Sequence, residues 1–263
     1  MNLLKQYRHL WVLVLVAILY GCANTSSSIL SKSGGLKMGL YKGSPTSIVQ
    51  GKTIEDTRGV GFELGRALAN DLDYAYAPII FDKNADVLAA AKQGRVDMIF
   101  TNATPERLED FAFSNPVLRI EKGYLIGSQR GILSLADIDV VGRKIGVSEG
   151  SSSQKELSKV IKNAQIITTS STTSAIAMLK AGRIDAFSSN KAILFEMSDS
   201  APGSRVLADV IGYESMAIGV PKDRAAAIPK VNLWIDSMST SGKLAEIVAH
   251  SGLRGVAPQI AKP

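Results

Sequence analysis

Ala91-Lys92-Gln93-Gly94-Arg95-Val96-Asp97 is echoed 88 residues later by Leu179-Lys180-Ala181-Gly182-Arg183-Ile184-Asp185. Each copy reads as a helix end followed by a buried strand. Lys complements the negative helix C-terminus, and Gly supplies the left-handed conformation just beyond it. Helix-stop grammar asks for little more than Lys and Gly. The added match of Arg, a β-branched residue and Asp points to two related lobes.

The segments around each copy extend the pattern. Before the first, residues 36–40 alternate as a strand and Val60, Leu64, Ala67 and Leu68 recur at helical spacing. Residues 76–81 form a second strand, and Val87, Leu88 and Ala91 mark a short helix. Residues 96–100 are mostly apolar, which suits a strand covered on both faces. Around the second copy, strands are predicted at 144–147, 164–168 and 184–187. Helices are predicted at 151–161 and around Ala175, Met178 and Leu179. Val231, Trp234, Ile235 and Met238, then Leu244, Ile247 and Val248, give two helices split at Ser241-Gly242. Strands alternating with helices imply an α/β fold with mostly parallel sheets.

In open α/β sheets, ligands bind beyond the carboxyl ends of the strands. Asn102 lies eight residues after Gly94, and Asn190 eight after Gly182. If the lobes face each other, both asparagines point into the cleft between them. Two neighbouring stretches add chemistry. Thr104 is placed to cap a short helix with Pro105 at its first position, which sets Arg107 one turn in, near the strand exit. A guanidinium there is able to hold a carboxylate or phosphate bidentately. In the other half, Glu149-Gly150-Ser151-Ser152-Ser153 opens a helix directly after a strand. Its small residues let a ligand approach the backbone, and its free N–H groups favour an anion. The blander alternatives are an Arg107 paired to Glu106 or Asp110, and plain N-capping by serine.

Other function classes lack material. The two histidines, His9 and His250, stand near no candidate serine nucleophile, and Cys22 is the single cysteine. No phosphate-binding loop and no metal-ligand spacing occurs, and no cofactor is expected. Asp97 and Asp185 fall at the strand ends away from the cleft and read as structural. The formal charge of the 263 residues is +6, with no basic run longer than Arg143-Lys144, so a nucleic-acid groove is not expected.

Two of those basic residues, Lys5 and Arg8, precede an unbroken apolar run of eleven residues, 10–20. That length suits a signal-peptide core rather than a membrane span. Leu19-Tyr20-Gly21-Cys22 resembles a lipoprotein cleavage box, though Tyr20 is bulkier than usual there. Cys22 is therefore the expected lipid-attachment site, and the Ser/Gly-rich residues 22–35 read as a flexible tether.

Thr104-Pro105-Glu106-Arg107, followed by Phe113-Ser114-Asn115-Pro116, resembles the signature of extracellular solute-binding proteins of family 3, the amino-acid-binding components of ABC importers. Val60-Gly61-Phe62-Glu63-Leu64, Gly94-Arg95-Val96-Asp97, Gly150-Ser151-Ser152 and Gly182-Arg183-Ile184-Asp185 match further family motifs. The resemblance covers residues 36–248. It implies a type 2 periplasmic-binding-protein fold: two lobes, each with a central mostly parallel sheet flanked by helices, joined by two crossover strands near 124–129 and 211–216. Lobe 1 would comprise 36–126 and 214–263, and lobe 2 residues 127–213, after a signal at 1–21.

By the same resemblance, Arg107 holds a ligand carboxylate, helped by Asn102, Thr104, Ser151 and Ser152. The implied product is a monomeric periplasmic lipoprotein, anchored through Cys22, that closes on a small anionic or zwitterionic metabolite and serves a membrane permease. A sensory lipoprotein and a dehydratase- or lyase-type enzyme are the alternatives. Two departures stand out. The family usually has aspartate, the partner of the ligand's ammonium, where this chain has Asn190, so Asn190→Asp is expected to improve amino-acid binding. The first-lobe regions that usually supply stacking aromatics, here residues 44–48 and Asn84, hold no Phe, Tyr or Trp. Glu214 and Asp82 are candidates for a replacement negative charge.

Overall fold

Both copies of the repeated stretch close a helix in the same way. The first helix of the pair, α2 (Asn84–Lys92), ends in a turn where Arg95 N–H bonds Ala90 O at 2.9 Å and Gly94 N–H bonds Ala91 O at 3.0 Å. Its counterpart α4 (Thr172–Lys180) ends with Arg183 N–H on Met178 O at 2.8 Å and Gly182 N–H on Leu179 O at 3.1 Å. This is the paired-bond helix stop that needs a left-handed residue, and Gly94 and Gly182 adopt φ 68° and 66°. The aspartates match as well. Asp97 Oδ2 accepts Lys37 N–H at 2.8 Å, and Asp185 Oδ2 accepts Lys144 N–H at 2.8 Å. Each therefore ties the start of its strand to the start of the neighbouring one.

The computed structural model describes residues 30–31, 34–128 and 131–257. In chain order the remaining elements are β1 (Gly35–Leu36), β2 (Met38–Tyr41), α1 (Val60–Asp71), β3 (Ala75–Tyr76), β4 (Ile79–Phe81), β5 (Met98–Asn102), β6 (Phe111–Phe113) and β7 (Leu118–Ile126). Then come β8 (Lys144–Ser148), α3 (Ser152–Val160), β9 (Gln165–Thr169), β10 (Ala186–Asn190), α5 (Lys191–Asp199), β11 (Arg205–Val206), β12 (Gly212–Pro221), α6 (Ile228–Thr240) and α7 (Lys243–His250).

One sheet runs through both lobes in the order β4-β2-β5-β12-β7-β10-β8-β9. β4, β2 and β5 are parallel in lobe 1, and β10, β8 and β9 are parallel in lobe 2. The antiparallel pair β7 and β12 joins them. β12 pairs with β7 over Gly212–Met216 and with β5 from Met216 onward. β7 pairs with β12 up to Lys122 and with β10 from Lys122 onward. The first crossing thus lies earlier than residues 124–129, and Gly123–Ile126 already pair with lobe-2 strands, ahead of the expected boundary at 126/127. Glu121 and Lys122 hid this crossing, because charged residues rarely mark a buried strand. Lys122 is 2% exposed and paired with Glu156 of α3, and Lys191 holds Glu121 at 2.8 Å.

Each lobe's sheet is covered on both faces. In lobe 1, Leu36, Met38, Leu64, Val231 and Ile235 form one core and Val87, Ala91, Val96, Ile99 and Phe111 the other. In lobe 2, Ile145, Val147 and Leu157 pack on one face, and Ala175, Leu179, Ile184 and Phe187 on the other. The packing repeats too. A Cβ on Gly39 of β2 would press Val96 at 3.1 Å, and one on Gly146 of β8 would meet Ile184 at 2.6 Å. Val96 and Ile184 are the equivalent residues of the two copies.

Several expected elements shift. Residues 36–40 form two short strands, because Lys37 breaks away to bond Asp97. The 76–81 strand splits at Pro78, which has no N–H to give a ladder. The strands expected at 96–100 and 184–187 start two residues later, since the aspartate turn precedes the ladder. They consequently run right up to Asn102 and Asn190. The 22–35 tether is packed where it is described: Leu30 and Ser31 are 2% and 5% exposed, and Leu30 O accepts a bond from buried Arg224 at 2.9 Å. Leu30 is an apolar residue with core surface to cover. Cys22 and residues 1–21 lie outside the described residues. Among the described residues no helix is long and apolar enough to cross a membrane.

Candidate functional site

The carboxyl ends of β2, β5, β8 and β10 converge on one cleft between the lobes, as the strand order requires. Lobe 1 contributes Tyr41, Thr101, Asn102 and Arg107; lobe 2 contributes Ser151, Ser152 and Asn190; and β12 contributes Glu214 and Met216. The lobes meet at its mouth. Lys83 of lobe 1 bonds Glu149 of lobe 2 at 3.0 Å. A Cβ on Gly150 would meet Ala85 at 3.0 Å, and one on Gly43 would meet Thr172 at 2.8 Å.

Arg107 begins a single 3-10 turn, Arg107–Glu109, rather than sitting inside an α-helix. The turn is too short for α-geometry, and Thr104 Oγ1 accepts Arg107 N–H only at 3.4 Å. The guanidinium folds back on the strand exit. Its Nη1 donates to Thr101 Oγ1 at 2.7 Å and to Asn102 O at 2.9 Å. The bland pairings do not form: Asp110 is taken by Lys92. Burial presses the Arg107 pKa below its ordinary value, and the charge of Glu214 opposes that shift. Its Nε and Nη2 protons have no protein partner among the described residues and are available to an anion.

Ser151 is the N-cap of α3, its Oγ accepting Gln154 N–H at 3.1 Å, while Gln154 Oε1 reaches back to Gly150 N–H at 2.7 Å. Capping and cleft-lining are therefore both true of Ser151. Ser152 turns its hydroxyl to Glu214, donating to Oε1 at 2.7 Å. Asn190 caps α5, accepting Ile193 N–H at 3.1 Å, and its Nδ2 donates to Glu214 Oε2 at 2.8 Å. Asn102 accepts Ser215 N–H at 2.9 Å through Oδ1. Thr104 is not part of this cavity and lines two neighbouring surface pockets.

Two residues exceed what the motifs indicated. Glu214 is 7% exposed and central, whereas Asp82 is rim-exposed and paired with Lys42 at 2.9 Å. Tyr41 is an aromatic wall from lobe 1, so the cleft does hold one ring there. Its hydroxyl donates to Ser44 Oγ at 3.2 Å, and burial raises its pKa. The signal for Tyr41 was its place at a strand's carboxyl end. Apart from Tyr41, Ile193 and Met216 are the apolar side chains of the lining among the described residues. Among the described residues no His, Cys, Asp and Glu group forms a metal cluster.

A two-lobed α/β molecule with a polar, arginine-bearing cleft at its crossover strands belongs to the class of type 2 solute-binding folds. The chain is a member of the bacterial extracellular solute-binding proteins, family 3, whose model matches residues 36–251. The probable histidine-binding protein of Campylobacter jejuni is 28% identical over 175 residues, covering 64% of this chain and 66% of that relative, just under two thirds of its length. The glutamine-binding protein of Geobacillus stearothermophilus is 24% identical over 235 residues, 80% of this chain and 89% of the relative. In fold, the chain is similar to an ancestral amino-acid-binding protein, AncCDT-1, described as a precursor of cyclohexadienyl dehydratase. That match has a TM-score of 0.73 and 21% identity, over 86% of this chain and 98% of that one. Family membership supports a periplasmic location.

Proposed function

We propose that this chain is the capture component of an ABC importer, closing its lobes on an amino acid or related small carboxylate and delivering it to a membrane permease. The observation that carries this reading is Arg107: a guanidinium folded into the interlobe cleft, with Nε and Nη2 unpartnered among the described residues. A ligand touching Arg107 from lobe 1 and Ser151 or Ser152 from lobe 2 meets both sets of groups only when the lobes are together. Its affinity for the closed form is what drives closure. The polar lining favours a ligand with a small or polar side chain over a large aliphatic one.

Binding rather than catalysis is the better reading. The rim carboxylates Asp82 and Glu149 are occupied by Lys42 and Lys83, and Glu214 is held by two neutral donors. We further infer lipid attachment at Cys22, with the folded chain held at a membrane. Labelling by an alkyne fatty acid that disappears in Cys22→Ser checks it.

The central test is a thermal-shift and calorimetric screen of the signal-free chain, from residue 23, against amino acids, dicarboxylates and phosphonates. At least one carboxylate-bearing compound is expected to stabilise it. Arg107→Ala is then expected to weaken that compound about 100-fold or more, the range for stripping a buried charged partner. Unchanged affinity in Arg107→Ala would sink the assignment.

A further inference from the structure

We propose that Glu214, not Asn190, is the countercharge for the ligand's ammonium group, which narrows the ligand class to zwitterionic amino acids. This rests on the reading above, in which the cleft is the ligand site and Arg107 takes the carboxylate.

The argument starts from what each group has left to offer. Asn190 is engaged at both ends. Its Oδ1 caps α5 on Ile193 N–H and its Nδ2 bonds Glu214. An ammonium group needs acceptors, and Asn190 has only one neutral lone pair left, on the oxygen that already caps α5. Glu214 is the reverse case. Its two oxygens accept from Ser152 and Asn190, both neutral. An ionised carboxylate has about four acceptor sites, so about two remain. No Lys, Arg or His lies within ion-pair distance of it among the described residues. A buried carboxylate with no cation in contact is costly, and apart from the through-space charge of Arg107 the place open to a contacting cation is the cavity that Glu214 lines.

Arg107 and Glu214 are therefore two half-satisfied charges of opposite sign in one cleft. A zwitterion completes both. A simple carboxylate completes Arg107 but brings a second negative charge towards Glu214. An amine alone does the opposite. This is selection by an unfavourable contact as well as by a favourable one. Asn190 and Ser152 hold the carboxylate in place and are positioning residues; they act on the ammonium through Glu214.

The test compares ligands that differ only in the charged amine. The signal-free chain is titrated calorimetrically with the common L-amino acids. The tightest is then compared with its 2-hydroxy acid, which keeps the carboxylate and side chain. The amino acid is expected to bind about 10- to 100-fold more tightly, the range for one charge-assisted contact. In Glu214→Gln the amino acid weakens by about that factor and the hydroxy acid gains, so the preference collapses; Arg107→Ala weakens both. Equal affinities in the wild type overturn the inference without any variant, which covers a Glu214→Gln that fails to fold. So does a Glu214→Gln protein that keeps the full preference, or that loses both ligands equally. If no amino acid or hydroxy acid binds the wild type, the cleft reading itself falls, and this inference with it.

Discussion

Asn102 and Asn190 close equivalent strands, 88 residues apart, and both reach for the same crossover strand. Asn102 takes the backbone N–H of Ser215, and Asn190 gives its amide proton to the side chain of the preceding residue, Glu214. One is a backbone clamp that extends the β5–β12 ladder by one bond. The other orients a buried charge. Repetition has thus preserved where the side chains sit, while their bonding, and with it their function, has diverged. Asn102 keeps both Nδ2 protons free of protein partners among the described residues, whereas Asn190 has committed one Nδ2 proton to Glu214 and one Oδ1 lone pair to Ile193 N–H.

The sharpest way to break the equivalence lies at the opposite ends of the same strands. Asp97 and Asp185 make matching bonds to Lys37 and Lys144, but Asp97 also forms a buried ion pair with Arg224, both side chains being 5% exposed or less. Asp97→Asn leaves the Arg224 charge buried and uncompensated. It is expected to cost about 3–5 kcal/mol of stability. Asp185→Asn weakens the matching bond to Lys144 N–H and is expected to cost less, about 1–3 kcal/mol. Urea unfolding measures both. Equal costs would mean that Arg224 contributes nothing and that the lobes are energetically as well as geometrically alike.

Asn190→Asp comes next. The family pattern predicts better amino-acid binding from this change, but the contact with Glu214 removes that gain. An aspartate there would sit in hydrogen-bonding contact with Glu214, and two carboxylates so close do not both stay ionised. The proton they share leaves the pair one negative charge, so amino-acid affinity is expected to stay within about threefold of wild type at neutral pH and to fall as the pH is lowered and the second carboxylate protonates. Tighter binding at neutral pH would show that Glu214 is displaced and the family arrangement restored. Asn102→Ala, by contrast, removes the acceptor for Ser215 N–H. A stability loss of about 1–3 kcal/mol is expected. Its amino-acid over hydroxy-acid preference should match the wild type, because Glu214 is untouched. A changed preference would place Asn102 in ammonium recognition.

The difference between the asparagines also marks what the sequence carried. The helix stop, the Gly and the strand that follows are local features, each fixed by residues within one turn of each other, so the repeat and both strand exits were legible. The partners of Glu214 are not local: Ser152 and Asn190 lie 62 and 24 residues away. Nothing in the residues around Glu214 separates a cleft carboxylate from a surface one. The same holds for Lys122 and Glu121, whose charges disguised a crossover strand because their partners Glu156 and Lys191 come from elsewhere in the fold. Helix α5 was legible in principle. Asn190 followed by Ala192, Ile193, Leu194 and Met197 is an N-cap before an apolar face, but its place directly at a strand exit, with no intervening loop, concealed it.

The smallest expected effect concerns two exposed ion pairs at the cleft mouth. Lys42–Asp82 lies within lobe 1 at 2.9 Å, and Lys83–Glu149 joins the lobes at 3.0 Å. Both are solvent-accessible, and Glu149 raises the Lys83 pKa by accepting its hydrogen bond. Proximity is alike; linkage to closure is not. A pair within one lobe has the same energy whether the cleft is open or shut, so its coupling cancels from the ligand's dissociation rate. A pair that exists only when the lobes meet adds to the barrier to opening. In double-mutant cycles on ligand dissociation, Lys83→Gln with Glu149→Gln should show coupling of about two- to fivefold in rate. Lys42→Gln with Asp82→Asn should show none. The coupling should shrink as salt shortens the screening length. A cross-lobe coupling of zero at low salt would mean that the ligand and the hinge alone hold the lobes together. An equal coupling in both cycles would mean that Lys42 and Asp82 also change partners on opening.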